Sequence, residues 1–174
     1  MRRIPLAGLA LGLILAGCDA GSPTGFEPQV EPQFAQQFGQ QFGQRTVPFR
    51  GSCDLDIQPA EPLGPGVIRQ VDVGRCQLAH LGRSILISDK VINLMAGTQT
   101  TDVAITAANG DILYGSGSGT NSVIAPGRVA FRVELTFTGG TGRFAGASGE
   151  AISEGEADLA SGSSKLTMTG WLMY

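Results

Sequence analysis

The chain has 174 residues, 42% of them apolar, with 12 basic and 15 acidic side chains and a formal charge of −3. An acidic balance with no Lys/Arg cluster gives no electrostatic reason to hold a phosphate backbone, so nucleic acid is not an expected partner. With 1 histidine and 3 cysteines, a closed zinc site has few ligands to draw on.

Arg2 and Arg3 begin the chain, and an apolar run follows from Ile4 to Ala16. The run is shorter than the ~20 residues of a membrane-spanning helix. A charged start, an apolar middle and small exit residues match a secretory signal instead. A buried N-terminal helix is the competing reading, but Asp19, Gly21, Ser22 and Pro23 offer it no continuation. Leu15-Ala16-Gly17-Cys18 resembles the bacterial lipobox. That resemblance implies removal of residues 1–17 and acylation of Cys18, and two or more acyl chains anchor a protein stably. The expected partner is therefore the lipid bilayer, and the expected location the bacterial cell envelope. Asp19 resembles the inner-membrane retention signal of enteric bacteria, a rule that varies between bacteria, so inner or outer membrane stays open.

Residues 18–45 form a Gln/Pro/Gly-rich segment in which seven of the sixteen residues from Gln29 to Gln44 are glutamine. Pro23, Pro28 and Pro32 interrupt any early helix, and the stretch reads as a flexible tether. Phe34, Phe38 and Phe42, spaced four apart, would line one side of a short helix, against which Gly39 and Gly43 argue.

From residue 46 to 174 the length suits one core, and the hydrophobic period is two. Val129, Phe131, Val133, Leu135 and Phe137 alternate with Arg132, Glu134, Thr136 and Thr138, as in a half-buried antiparallel strand. Phe49 to Ile57 alternates likewise. In the last strand Leu166, Met168, Leu172 and Tyr174 oppose Thr167, Thr169, Trp171 and Met173, and the apolar character of both faces suggests cover on both sides. Shorter candidates are Val67–Leu78, Ser84–Met95, Gln99–Ala107, Asp111–Ser118 and Ala145–Leu159. Asn109-Gly110 predicts a type I′ hairpin, and Gly139-Gly140-Thr141-Gly142 a second turn. Eight strands with tight turns close as a barrel or stack as a sandwich. The glycines and alanines from Gly139 to Gly155 permit the coiling of barrel corners, so an all-β, eight-stranded antiparallel barrel is predicted.

The segment Thr136–Ala151, TFTGGTGRFAGASGEA, resembles the glycine-rich hairpin of the dirigent and allene oxide cyclase superfamily. His80–Ser84 and Ala107–Asp111 are similar to stretches of its bacterial members. The resemblance spans roughly Phe49 to Tyr174 and implies a calycin-like barrel with an apolar lumen, often assembled as a homo-oligomer. The glycine segment concerns backbone shape. No catalytic residue can be carried over from it.

With Cys18 acylated in an exported protein, Cys53 and Cys76 are predicted to form a disulfide. Two free buried thiols, or a metal or reactive pair, are the alternatives, and His80 is the one histidine a metal site could use. No GxSxG, HExxH, CxxC or phosphate-loop pattern occurs, and the spacing of His80 to Asp72 or Asp89 makes neither its partner. Glu150, Glu154 and Glu156 share one alternating face opposite small residues. Burying three unpaired carboxylates is costly, so they are expected outside. The candidate lumen lining is then Val129, Phe131, Val133, Leu135, Phe137, Ala147 and Ala151. No metal, cofactor or catalytic residue is assigned. The expected function is that of an envelope lipoprotein with a noncatalytic barrel that holds a small apolar ligand. Two alternatives are kept: a structural or protein-interaction module, and an isomerase of the allene oxide cyclase type.

Overall fold

The computed structural model describes residues 45–174, so Cys18, the signal segment and Phe34, Phe38 and Phe42 lie outside the described residues. Nine strands follow in chain order: β1 (Thr46–Ile57), β2 (Glu61–Gly64), β3 (Val67–Leu78), β4 (Gly82–Asn93), β5 (Thr98–Thr106), β6 (Ile112–Ala125), β7 (Arg128–Gly140), β8 (Ser148–Asp158) and β9 (Ser163–Met173). Each long strand pairs antiparallel with its successor, and β1 pairs with both β9 and β3. Eight strands therefore close into an antiparallel β-barrel. The short β2 lies on the outer end of β3 and is not part of the ring.

Closure follows from the pleat and the glycines. Alternate residues point inward on the strands of the ring, so an apolar set such as Val47, Phe49, Cys53 and Leu55 on β1 is buried while Arg50, Ser52 and Asp54 are exposed. Coiling brings neighbouring backbones too close for a side chain at certain inward positions. A Cβ on Gly117 or Gly119 of β6 would strike the Glu134 or Arg132 carbonyl of β7. Gly149 and Gly155 of β8 stand in the same way against β9, which is the structural work of the glycine-rich segment.

Several boundaries differ from the sequence reading. The Pro/Gly-rich stretch after β1 contains β2, whose residues are all exposed and had no alternation to betray them. Strand β6 runs on to Ala125, because Asn121–Ala125 pairs with Arg128–Phe131 through a bulge. Strand β8 begins at Ser148, and the preceding Gly142–Phe144 forms a single 3₁₀ turn. The hairpin at Asn109-Gly110 exists, but only Gly110 of the two has a positive φ, 91°. With Gly110 N donating to Ala107 O at 2.9 Å, the loop is a type I turn ending in a left-handed glycine. The outer face of β9 has no covering layer among the described residues: Trp171 is 39% exposed.

The barrel's two ends are unlike. One end gathers the chain's entry at Arg45, the turns at residues 79–81 and 107–111, the β7–β8 connection and Tyr174. Phe144 is 0% exposed there and meets Tyr174 edge-on at 5.3 Å. Leu81 and Leu113 belong to the same buried core. Arg143 lies 4.7 Å over the Phe144 ring and donates to His80 O at 2.8 Å, tying the plug to the neighbouring turn. The other end carries the turns at 94–97, 126–127 and 159–162 together with β2.

Candidate functional site

Toward that second end the interior changes character. On β3 the inward parity that buries Leu78 and Cys76 continues through Gly74 to Asp72, which is 2% exposed. On β4 the parity that buries Leu86 continues to Ser88 and Lys90. Lys90 Nζ donates to Asp72 Oδ2 at 2.5 Å across the β3–β4 ladder. Strand β5 adds Gln99 and Thr101, both buried, and the hydroxyls of Ser88 and Thr101 share a hydrogen bond of 2.9 Å. Ser153 and Ser164, from β8 and β9, complete a polar interior where an apolar one was expected.

The ion pair is held by geometry that a lone charge could not sustain. A buried carboxylate without a cation costs several kcal/mol, and a hydrogen-bonded ammonium offsets much of that. Asp72 Oδ1 and Ser164 Oγ are buried with no hydrogen-bond partner. The interior space left between Leu55, Asp72, Lys90, Gln99, Phe131 and Ser153 is about 30 Å³. Most of its other lining side chains, Leu86, Val103, Leu166 and Met168 among them, are apolar, and its volume is about that of a single water molecule. It is too small for an organic ligand unless the lining side chains move.

Of the predicted lining residues, Phe131, Val133 and Leu135 border this interior space. Val133, Leu135, Phe137, Ala147 and Ala151 are buried in the core, and Phe137 meets Phe49 edge-on at 4.8 Å. Val129 and Phe131, farther along β7 toward the polar mouth, are only half-buried. Bulky β7 side chains fill the space beside the small residues of β8.

Glu150, Glu154 and Glu156 point outward, as their cost of burial requires. Glu154 pairs with Arg132 and Glu156 with Arg128 across the β7–β8 ladder. Tyr114 is also on the outer face and exposed. His80 is exposed in the β3–β4 turn with φ of 67°. Both of its candidate acids are engaged elsewhere, Asp72 with Lys90 and Asp89 with Arg69. The double hydrogen bond from Arg69, at 2.9 and 2.5 Å, holds the Asp89 carboxyl below its ordinary value.

Cys53 and Cys76 form a disulfide between directly opposed residues of β1 and β3, with Cα atoms 4.0 Å apart. Their ladder, Gly51–Ile57 against Asp72–Leu78, is the shortest in the ring, and the bond staples it. Oxidation takes both sulfurs out of metal or nucleophile chemistry. Among the described residues no group of three His, Cys, Asp or Glu is placed to hold a metal ion.

The residues that sequence reasoning missed are Asp72 and Lys90. The signal was available: each falls on the inward parity of its strand, in line with Cys76 and Leu86. Compared with known proteins, the chain matches no family model, no curated protein and no solved structure.

Proposed function

We propose that this chain is a bacterial envelope lipoprotein, anchored through acylated Cys18, whose barrel is a rigid noncatalytic module. One observation carries the module reading: the interior space between Asp72, Lys90 and Phe131 is only about 30 Å³, so the barrel has mass and shape to offer but little room there for cargo. The anchor reading rests on LAGC behind a short apolar run. Both agree with a chain that enters the barrel at its plugged end, where Arg45 N donates to Tyr174 O at 2.9 Å. The polar mouth is thus the end farthest from the attachment.

The outer wall carries Asp54, Arg75, Asp102, Glu134 and Glu150, side chains suited to water and costly against lipid. The barrel belongs beside the bilayer, held by its N-terminal segment. The likeness to the dirigent and allene oxide cyclase superfamily is offered as kinship of backbone shape alone. A small apolar ligand would have to displace packed side chains or reach the mouth near Phe131. An isomerase would have to work with Asp72 and Lys90, which neutralise one another.

Metabolic labelling with a fatty-acid analogue tests the anchor. Wild type should be labelled and Cys18→Ser should not, and equal labelling of both would end the lipoprotein reading. Native mass spectrometry of the chain purified from its host tests the module. A stoichiometric apolar molecule retained in the lumen would return the function to ligand carriage.

A further inference from the structure

Four connections meet at the mouth end of the barrel, those joining β2 to β3, β4 to β5, β6 to β7 and β8 to β9. Each brings exposed large apolar side chains: Leu63 beside the first, then Leu94 and Met95, Val123 and Ile124, and Leu159. Met95 is 87% exposed and Val123 79%. The plugged end is the reverse. In its turns Leu81 and Phe144 are buried, while Asp111 and Arg143 bring charge. At the mouth end the stretches 62–68, 92–101, 121–127 and 159–164 contain no charged side chain. Backbone bonds link the four turns into one rim: Leu94 N donates to Gly66 O at 2.8 Å, Asn121 N to Gly97 O at 2.7 Å and Leu159 N to Gly127 O at 2.8 Å. N–H groups at the tips are engaged as well. Asn93 Oδ1 accepts from Met95 N and Ala96 N at 3.1 and 2.9 Å. Asp158 Oδ1 accepts from Ala160 N and Ser161 N at 2.9 and 3.1 Å. Pro65 and Pro126 have no N–H to satisfy.

We propose that this rim docks on a lipid bilayer, with its apolar tips seated in the interfacial layer and the charged barrel wall left in water. An apolar medium accepts backbone only where its polar groups are already paired, as they are at these tips. The six side chains stand on separate turns around a polar mouth. Fluid lipid closes around separate tips, whereas a protein partner would need a socket for each. No cation stands among them, so burial of apolar surface drives the docking and anionic headgroups are not required. The charges bordering the rim are already partnered: Glu61 with Arg69, Arg128 with Glu156, and Asp158 with its own turn. The chain's own Phe38 and Phe42 cannot cover the rim, because they lie within about 25 Å of Arg45 even in an extended chain. Strand β1 takes 12 residues to run from there to the rim, about 30 Å of height at the usual barrel tilt. Docking stands apart from acylation of Cys18. An anchored chain has residues 19–44, up to about 90 Å when extended, with which to turn its rim toward the same bilayer.

Tryptophan fluorescence of the full chain on phosphatidylcholine vesicles is the test, because it reports depth at one position even where the chain is also anchored. Trp171, the one native tryptophan, is first changed to phenylalanine. In that background Met95→Trp should shift to the blue, and should be quenched when the acyl chains of the vesicle carry bromine. Ala108→Trp, in a turn of the plugged end, should do neither. Adding Val123→Asp, on a different turn from Met95, should cut the docked population roughly tenfold or more, since an apolar tip is lost and a charge gained. Val123→Leu should keep it, and high salt should not release the rim. Circular dichroism of each variant checks that the barrel is intact. An unquenched Met95→Trp, equal quenching of Ala108→Trp, or quenching indifferent to Val123→Asp in an intact barrel would overturn the proposal. So would a protein partner that covers the rim and keeps Met95→Trp out of the vesicle.

Discussion

Replacing Lys90 with alanine should be among the most damaging single changes in the barrel. Among the described residues Lys90 Nζ is the only cation bonded to Asp72, at 2.5 Å, and Asp72 is 2% exposed. Breaking a buried pair by removing one partner costs about 3–5 kcal/mol, because it strands the other charge. A domain of this size is stable by about 5–15 kcal/mol, so the loss is a large fraction of the whole. At roughly 4 °C per kcal/mol, the melting temperature should fall by about 12–20 °C. Removing both members should be far milder. In D72L/K90M two apolar side chains replace the pair, and such exchanges are often neutral or stabilising by about 1–4 kcal/mol. The assay is urea denaturation of wild type, both single variants and the double, with a common slope checked before free energies are compared. A cost under ~1 kcal/mol for Lys90→Ala would refute the reasoning. It would mean that Asp72 is hydrated through the mouth and needs no cation.

Cys53→Ala and Cys76→Ala should each cost about 3 kcal/mol on the chain-entropy scale, and the double variant little more, since both positions share one bond; two reactive thiols in the unfolded, unreduced protein would refute this. Phe144→Ala opens the sealed end and should cost about 3–5 kcal/mol in the same denaturation assay. Ala151→Leu, which an open lumen would tolerate, should destabilise by about 1–3 kcal/mol because the interior opposite it is filled. The Asp89 carboxyl is held low by Arg69, so its stabilisation is present above the ordinary carboxylate value and is lost as pH falls through the lower folded value. Carbon-detected NMR titration should show Asp89 ionising below about pH 3.9 in wild type and moving upward in Arg69→Gln.

Period-two alternation made the long strands readable, because a half-buried strand must put apolar side chains on one face wherever it lies. That argument reaches Phe49 to Ile57 and Val133 to Phe137, and the pairing of Cys53 with Cys76 followed from placing them on successive long strands of a chain expected to be exported. The outward position of Glu150, Glu154 and Glu156 was readable from the cost of desolvating carboxylates. The alternation fails for β2, which buries nothing, and for Asn121–Ala125, whose exposed Val123 and Ile124 carry no polar–apolar contrast. What only the tertiary structure decided is what the inward faces enclose. Whether Lys90 meets Asp72 depends on the β3–β4 register, and whether bulky and small strands leave a cavity depends on how far the barrel coils. Phe144 is a plug because the β7–β8 connection folds across the end opposite the polar mouth and meets Tyr174, a contact between residues distant in the chain. Local pattern sets the face on which a side chain stands; closure of the ring sets its neighbours.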